Sequence, residues 1–178
     1  RCVIKAIQKG IGIYAAHTNL DNAEGGVNYR IAETLGLTDL AFLEAKPGDV
    51  AAGSGVVGML PAEVDERAFL ERVKALFGIR CIRHNQLSGR KIRRVALCGG
   101  AGGFLLSRAI EQGVDAFLTG EMRYHDYFGH EGELLIAEMG HYESEQYTMD
   151  IFREIVERAC PGVKVMKTAV NTNPVNYL

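Results

Sequence analysis

Three acid–histidine pairs in this chain share one spacing. His17 and Asp21 are four residues apart, as are Glu121 and His125, and His141 and Glu145. Each pair follows a short apolar run: IYAA before His17, FLTG before Glu121, LLIAEMG before His141. Residues four apart share a face wherever the backbone turns helical, so each pair can aim two donor atoms at one point. Imidazole nitrogen with carboxylate oxygen suits Zn, Mn, Fe or Ni, and a carboxylate can bridge two ions. Two such ions about 3.5–4 Å apart activate a water or clamp an in-line displacement. One pair alone would be read as a helix cap or a surface hydrogen bond, with Asp21 capping a helix and Glu143 or Glu145 favouring a helix N-terminus. Three pairs at equivalent positions favour a metal site.

The elements that must position these pairs read as α/β units, short apolar runs alternating with segments of helical period. Strands are predicted at residues 11–16, 40–45, 56–60, 79–83, 94–98, 115–119, 134–139 and 163–170. Helices are predicted over 1–9, over the Val27, Ile31, Leu35 stripe ended by Gly36, and from an Asp65 cap through Phe69, Val73 and Leu76 to Gly78. Two more follow at 104–112 and 144–159. The carboxyl ends of strands are where open α/β sheets hold their ligands. Residues 47–54, rich in turn formers, are the natural boundary, dividing a first α/β lobe (1–46) from a second (55–178). The strand–His–x3–acid–helix units at His17 and His141 look like an internal repeat that would bring two loops to one cleft between similar lobes.

Composition narrows the function. At 178 residues the chain holds one large domain or two small ones. Lys and Arg total 20 against 22 Asp and Glu, a net charge of −2, so there is no general affinity for nucleic acid. No apolar run is long enough to span a bilayer. Four scattered cysteines, with no CxxC pair, fit reduced thiols in a cytoplasmic protein, and Cys81, Cys98 and Cys160 lie in apolar stretches. The chain starts at Arg1, which reads as a cut into a longer protein.

Other signals weigh less. The glycine-rich segment from Gly99 to Gly103 lies between a strand and a helix, but Leu105 replaces the third glycine of a dinucleotide fingerprint, so a tight turn is the better reading. The stretch from Arg80 to Arg94 holds six Arg or Lys plus His84 and no acid. It reads as a charge-protected hairpin edge ahead of a nucleotide or nucleic-acid patch. Tyr124, Tyr127 and Phe128 beside His125 could stack a base, though core packing is the more ordinary expectation.

The motifs YAAHTNLD at 14–21, GGVN at 25–28, Gly120-Glu121 with Tyr124-His125-Asp126, and GHYESE at 140–145 appear in one order. With the ending NTNPVNYL, they resemble the Nif-three-like dinuclear metal-centre family, also named GTP cyclohydrolase 1 type 2 homologues. The resemblance covers most of the chain and implies a Nif-three-like α/β fold, its metal cleft between two similar βα lobes, with the first lobe truncated at its N-terminus. It implies Asp21, His141 and Glu145 as ligands of two divalent ions, with His17 close behind them, and a His-His-Pro motif upstream that would fall before Arg1. Longer members carry an inserted domain near residues 47–54. The function expected is a metal-dependent hydrolase acting on a nucleotide or related cyclic amide, with Glu121 and His125 as general acid–base candidates. A ring-shaped homo-oligomer, a hexamer, is also implied. The alternative is a non-catalytic metal-stabilised scaffold binding protein or nucleic-acid partners.

Overall fold

The computed structural model describes residues 1–130 and 132–178, with Val50 described by its backbone alone. A six-stranded sheet organises them in the order β1-β2-β4-β5-β6-β3. β1 (Thr38–Lys46) and β2 (Asp49–Asp65) form an antiparallel hairpin, and β2 pairs antiparallel with β4 (Lys91–Cys98). β4, β5 (Ala116–Thr119) and β6 (Leu135–Glu138) run parallel, and β3 (Arg83–His84) closes the far edge antiparallel to β6.

The central parallel strands are apolar on both sides because both faces are covered, as parallel sheets require. Alternation along β4 sends Val95 and Leu97 to one face and Ala96 and Cys98 to the other. The first face packs against α3 (Val27–Leu35), α4 (Glu66–Phe77) and, through Ile151, α7 (Thr148–Ala159). The second packs against α5 (Leu106–Glu111) through Leu106 and Ala109. Gly36 and Gly78 end α3 and α4 in the left-handed conformation, where a side chain would be strained. No helix among the described residues is long and apolar enough to cross a membrane.

Several sequence expectations change. Residues 47–54 form the turn between β1 and β2 and the start of β2, within one continuous sheet. Residues 11–16 and 163–170 form no strand: Ile11, Ile13, Tyr14, Met166 and Val170 are exposed, and a strand without a ladder partner does not persist. Of 79–83, only Arg83 joins the sheet, and β3 pairs with β6, so the basic stretch is an edge strand, a loop and the start of the central strand β4 instead of a hairpin. The helix expected at 144–159 is split into α6 (His141–Glu145) and α7, and that at 104–112 starts as a 3-10 turn over Gly102–Leu105. Asp65 occupies the N-cap of α4 without a capping bond, its carboxylate instead meeting Lys91 Nζ at 2.7 Å. Leu76 faces solvent while Leu70 is buried. Cys81 and Cys160 are exposed, leaving Cys98 as the buried thiol.

Candidate functional site

The carboxyl ends of the parallel strands gather the candidate residues. β4 delivers Cys98 and the turn Gly99–Gly100, β5 leads through Gly120 to Glu121, and β6 leads through Gly140 to His141 at the start of α6. Helical spacing in α6 stacks Glu145 one turn beyond His141, with Glu145 Oε2 3.3 Å from His141 Nε2. The other ring nitrogen, His141 Nδ1, lies 2.7 Å from Glu121 Oε1. His141 is therefore held between two carboxylates, one at each nitrogen.

Asp21 ends the short helix α2 (Thr18–Asp21), whose N-cap residue is His17. Its carboxyl is half-buried, and burial raises its pKa against the opposing charges of His17 and His141. Burial likewise raises the pKa of Glu145, and the Asp21 charge adds to the rise while His141 and His17 oppose it. Asp21, Glu145, His141 and His17 thus form one electrostatic group. His17 itself is exposed, its Nδ1 2.8 Å from Thr18 Oγ1.

The pair expected at Glu121 and His125 does not aim at one atom. Glu121 turns to His141, twenty residues on, whereas His125 sits exposed in a 3-10 turn (Tyr124–Tyr127) with its ring centroid 5.3 Å from that of Tyr124. Glu121 precedes the turn and residues 121–123 are not helical, so the face-sharing that four-residue spacing gives in a helix does not apply. Glu121 does not cap it either: Arg123 is the N-cap residue, and no side chain caps the turn.

Residues that the spacing argument passed over hold the site floor. Asn28, 1% exposed, donates through Nδ2 to the Asp21 carbonyl at 2.9 Å and accepts the Gly99 amide through Oδ1 at 2.8 Å. Ser144 Oγ accepts the Gly100 amide at 2.9 Å, and Thr119 Oγ1 accepts that of Gly102 at 3.1 Å. The amides of Gly99, Gly100 and Gly102 are thereby occupied by the protein's own side chains, which agrees with the tight turn expected there. Gly100, at φ +60°, favours glycine because a side chain is strained there, and a Cβ would also push Glu145 Oε1 aside. A signal for Asn28 existed: it shares the buried stripe of Ile31 and Leu35, where a polar residue needs a partner.

The donor chemistry here fits a divalent cation. Two half-buried carboxyls with raised pKa values and an imidazole nitrogen leave a negative charge that a cation would relieve. The set is partial, because among the described residues no three His, Cys, Asp or Glu side chains converge as a metal site requires.

Comparison with known proteins agrees with this architecture. A protein from Lactococcus lactis named GTP cyclohydrolase 1 type 2 homolog is 34% identical over 98% of this chain and 66% of its own length. A Clostridium perfringens protein of the same name is 28% identical over 100% of this chain and 69% of its own. The chain thus spans about two thirds of the relatives it matches. Crystal structures of the Staphylococcus aureus protein SA1388 (TM-score 0.85, 22% identity, 99% of this chain and 72% of that one) and of a Bacillus cereus protein related to NIF3 (TM-score 0.83, 21% identity, 99% and 76%) share the fold. The family model described as Duf34/NIF3 (NGG1p interacting factor 3) matches residues 1–174. The sheet, the helices on its two faces and the sequence match agree, and the chain belongs to the Duf34/NIF3 family.

Proposed function

We propose that the cleft at the carboxyl ends of β4, β5 and β6 is a divalent-metal-dependent hydrolytic centre for a small molecule, a nucleotide or related cyclic amide. The observation that carries this reading is His141 held by Glu121 at Nδ1 and facing Glu145 at Nε2. As placed, Asp21, His141 and Glu145 do not converge on one point; drawn together on binding, they would be ligands of the first of two ions (Zn, Mn, Fe or Ni), with His17 beside them and further donors needed for both. A bound cation supplies Lewis-acid polarisation at this point. Glu121 accepts the Nδ1 proton of His141, which fixes the tautomer and leaves the Nε2 lone pair toward Glu145. That makes Glu121 a positioning residue.

The adjoining cavity, about 730 Å³, suits a small substrate and is lined by Glu121, Glu138, His141 and Glu145, with Thr172 and Tyr177 of the C-terminal tail on its far wall. The name shared by the relatives supports a hydrolytic role on a nucleotide. A scaffold role has its own support in the exposed apolar residues Val3, Ile4 and Ile7 of α1 (Cys2–Gln8), a surface suited to another copy in a ring, a hexamer in this reading, or to a partner protein.

Calorimetric titration with Mn²⁺ and Zn²⁺, followed by turnover assays over a nucleotide panel, tests the reading. Glu145→Gln should weaken metal binding by at least about tenfold. Glu121→Gln should weaken it by roughly 10–100-fold, as loss of an orienting carboxylate does. Metal binding unchanged in Glu145→Gln would remove the metal centre, and metal binding without turnover would favour the scaffold.

A further inference from the structure

A second cavity, about 530 Å³, opens beside the edge strand β3 and is lined by residues 82–86 together with Tyr124, Tyr127 and Phe128. Core packing, the ordinary expectation for these aromatics, holds for Tyr127, which packs against the core on the α5 face, but not for Tyr124 and Phe128. Tyr124 is 68% exposed and Phe128 56% exposed. Their rings meet edge to face, centroids 5.2 Å apart. The Arg83 guanidinium lies 5.7 Å from the centroid of the Tyr127 ring, and His84 and the exposed Gln86 stand on the same wall. His84 Nδ1 is 2.6 Å from the Asn85 carbonyl, an acceptor only, so in the neutral ring Nε2 carries the lone pair.

We infer that this cavity binds the base of a nucleotide. Exposed aromatic faces stack any nucleobase, a nearby Arg adds a cation to the stack, and an imidazole nitrogen and an amide can meet a base's polar edge. Of the basic stretch, Arg83 is the cation that lines the cavity, while Lys91, Arg93 and Arg94 lie on β4, separated from β3 by β5 and β6. Glu138 ties this cavity to the cleft: its carboxylate meets Arg83 at 3.0 Å and accepts from Tyr127 Oη and the Met122 amide at 3.1 Å, and it also lines the cleft of His141. A base here would lie one side chain away from the hydrolytic centre. The inference deepens the hydrolytic reading by giving the substrate's base its own subsite, and it rests on that reading only for the purpose of the binding.

The test exploits a chain that contains no tryptophan. Tyr124→Trp places one fluorophore on an exposed position, so the fold is spared. Adenosine and guanosine monophosphates are titrated in EDTA against this variant by fluorescence, and against wild type, Tyr124→Ala and Glu145→Gln by calorimetry. Ribose 5-phosphate and a short single-stranded oligonucleotide serve as comparison ligands. Saturable quenching is expected in Tyr124→Trp, with affinity lower by roughly tenfold in Tyr124→Ala, the usual cost of losing one stacking face. Glu145→Gln should bind the nucleotides as wild type does.

Nucleotide affinity unchanged in Tyr124→Ala would overturn the inference. So would ribose 5-phosphate binding as tightly as the nucleotides, or binding of the oligonucleotide alone, which would mark a strand-binding surface. Nucleotide binding that persists when Glu145→Gln leaves metal affinity unchanged would sink the metal centre and leave the subsite standing.

Discussion

Cys98 stands at the end of β4 beside Asp21 and Glu145, a position where a thiol invites a catalytic or ligand role. Burial, reinforced by both carboxylate charges, pushes its pKa up to about 12. A thiol so raised is almost wholly protonated near neutrality and neither attacks nor binds metal readily. Iodoacetamide applied to the native protein at about pH 8, near the pKa of an ordinary thiol, should label the exposed Cys2, Cys81 and Cys160 and spare Cys98. Peptide mass spectrometry reads the result, and labelling of Cys98 at the rate of the others would contradict its assigned environment. Glu121 shows the limit of spacing as a guide at this scale. Four-residue spacing paired it with His125, but the chain from 121 to 123 is not helical and a contact across the sheet end takes over.

At the scale of elements, α3 does two jobs with one face. Ile31 and Leu35 seal the core while Asn28 ties the end of α2 to the glycine turn after β4. Asn28→Ala would leave the Gly99 amide and the Asp21 carbonyl without their partner. The expected cost is about 2 kcal/mol, or a Tm lower by roughly 4–8 °C in a chain of this size. Metal affinity should fall with it, because Asp21 loses its anchor, and an unchanged melting curve would refute the tie. Period and glycine caps made α3, α4 and the central strands legible in the sequence, since each buries its own stripe. The strands expected at 11–16 and 163–170 failed because apolar alternation signals a strand only where a neighbour completes the ladder, and no local pattern names that neighbour. The site was half legible on the same grounds. Glycine-flanked His141 and Glu145 lie within one helical turn, but the clasp of Glu121 on His141 and of Ser144 on Gly100 exists only once three strands are aligned.

For the whole molecule, the unbalanced feature is apolar surface. Val3, Ile4 and Ile7 of α1 are each 60% exposed or more, and Ile11, Ile13 and Tyr14, next in sequence, are exposed as well. Surface of this kind is covered by association in most proteins that display it. Light scattering of this 178-residue chain should give a multiple of 19.5 kDa, and Ile4→Lys with Ile7→Lys should return the monomer. A monomeric mass for the unaltered chain would leave this surface without that role. The glycine turn after β4 has a consequence on a slower clock. Its amides at Gly99, Gly100 and Gly102 are capped by side chains from α3, α6 and β5, so no local fraying frees them; those elements must part first. In deuterated water a surface-loop proton would be lost quickly, but these three should exchange only through global opening, at the pace of the β5 amides. Slow deuterium uptake there would make this loop, in spite of its glycines, one of the last parts of the protein to come undone.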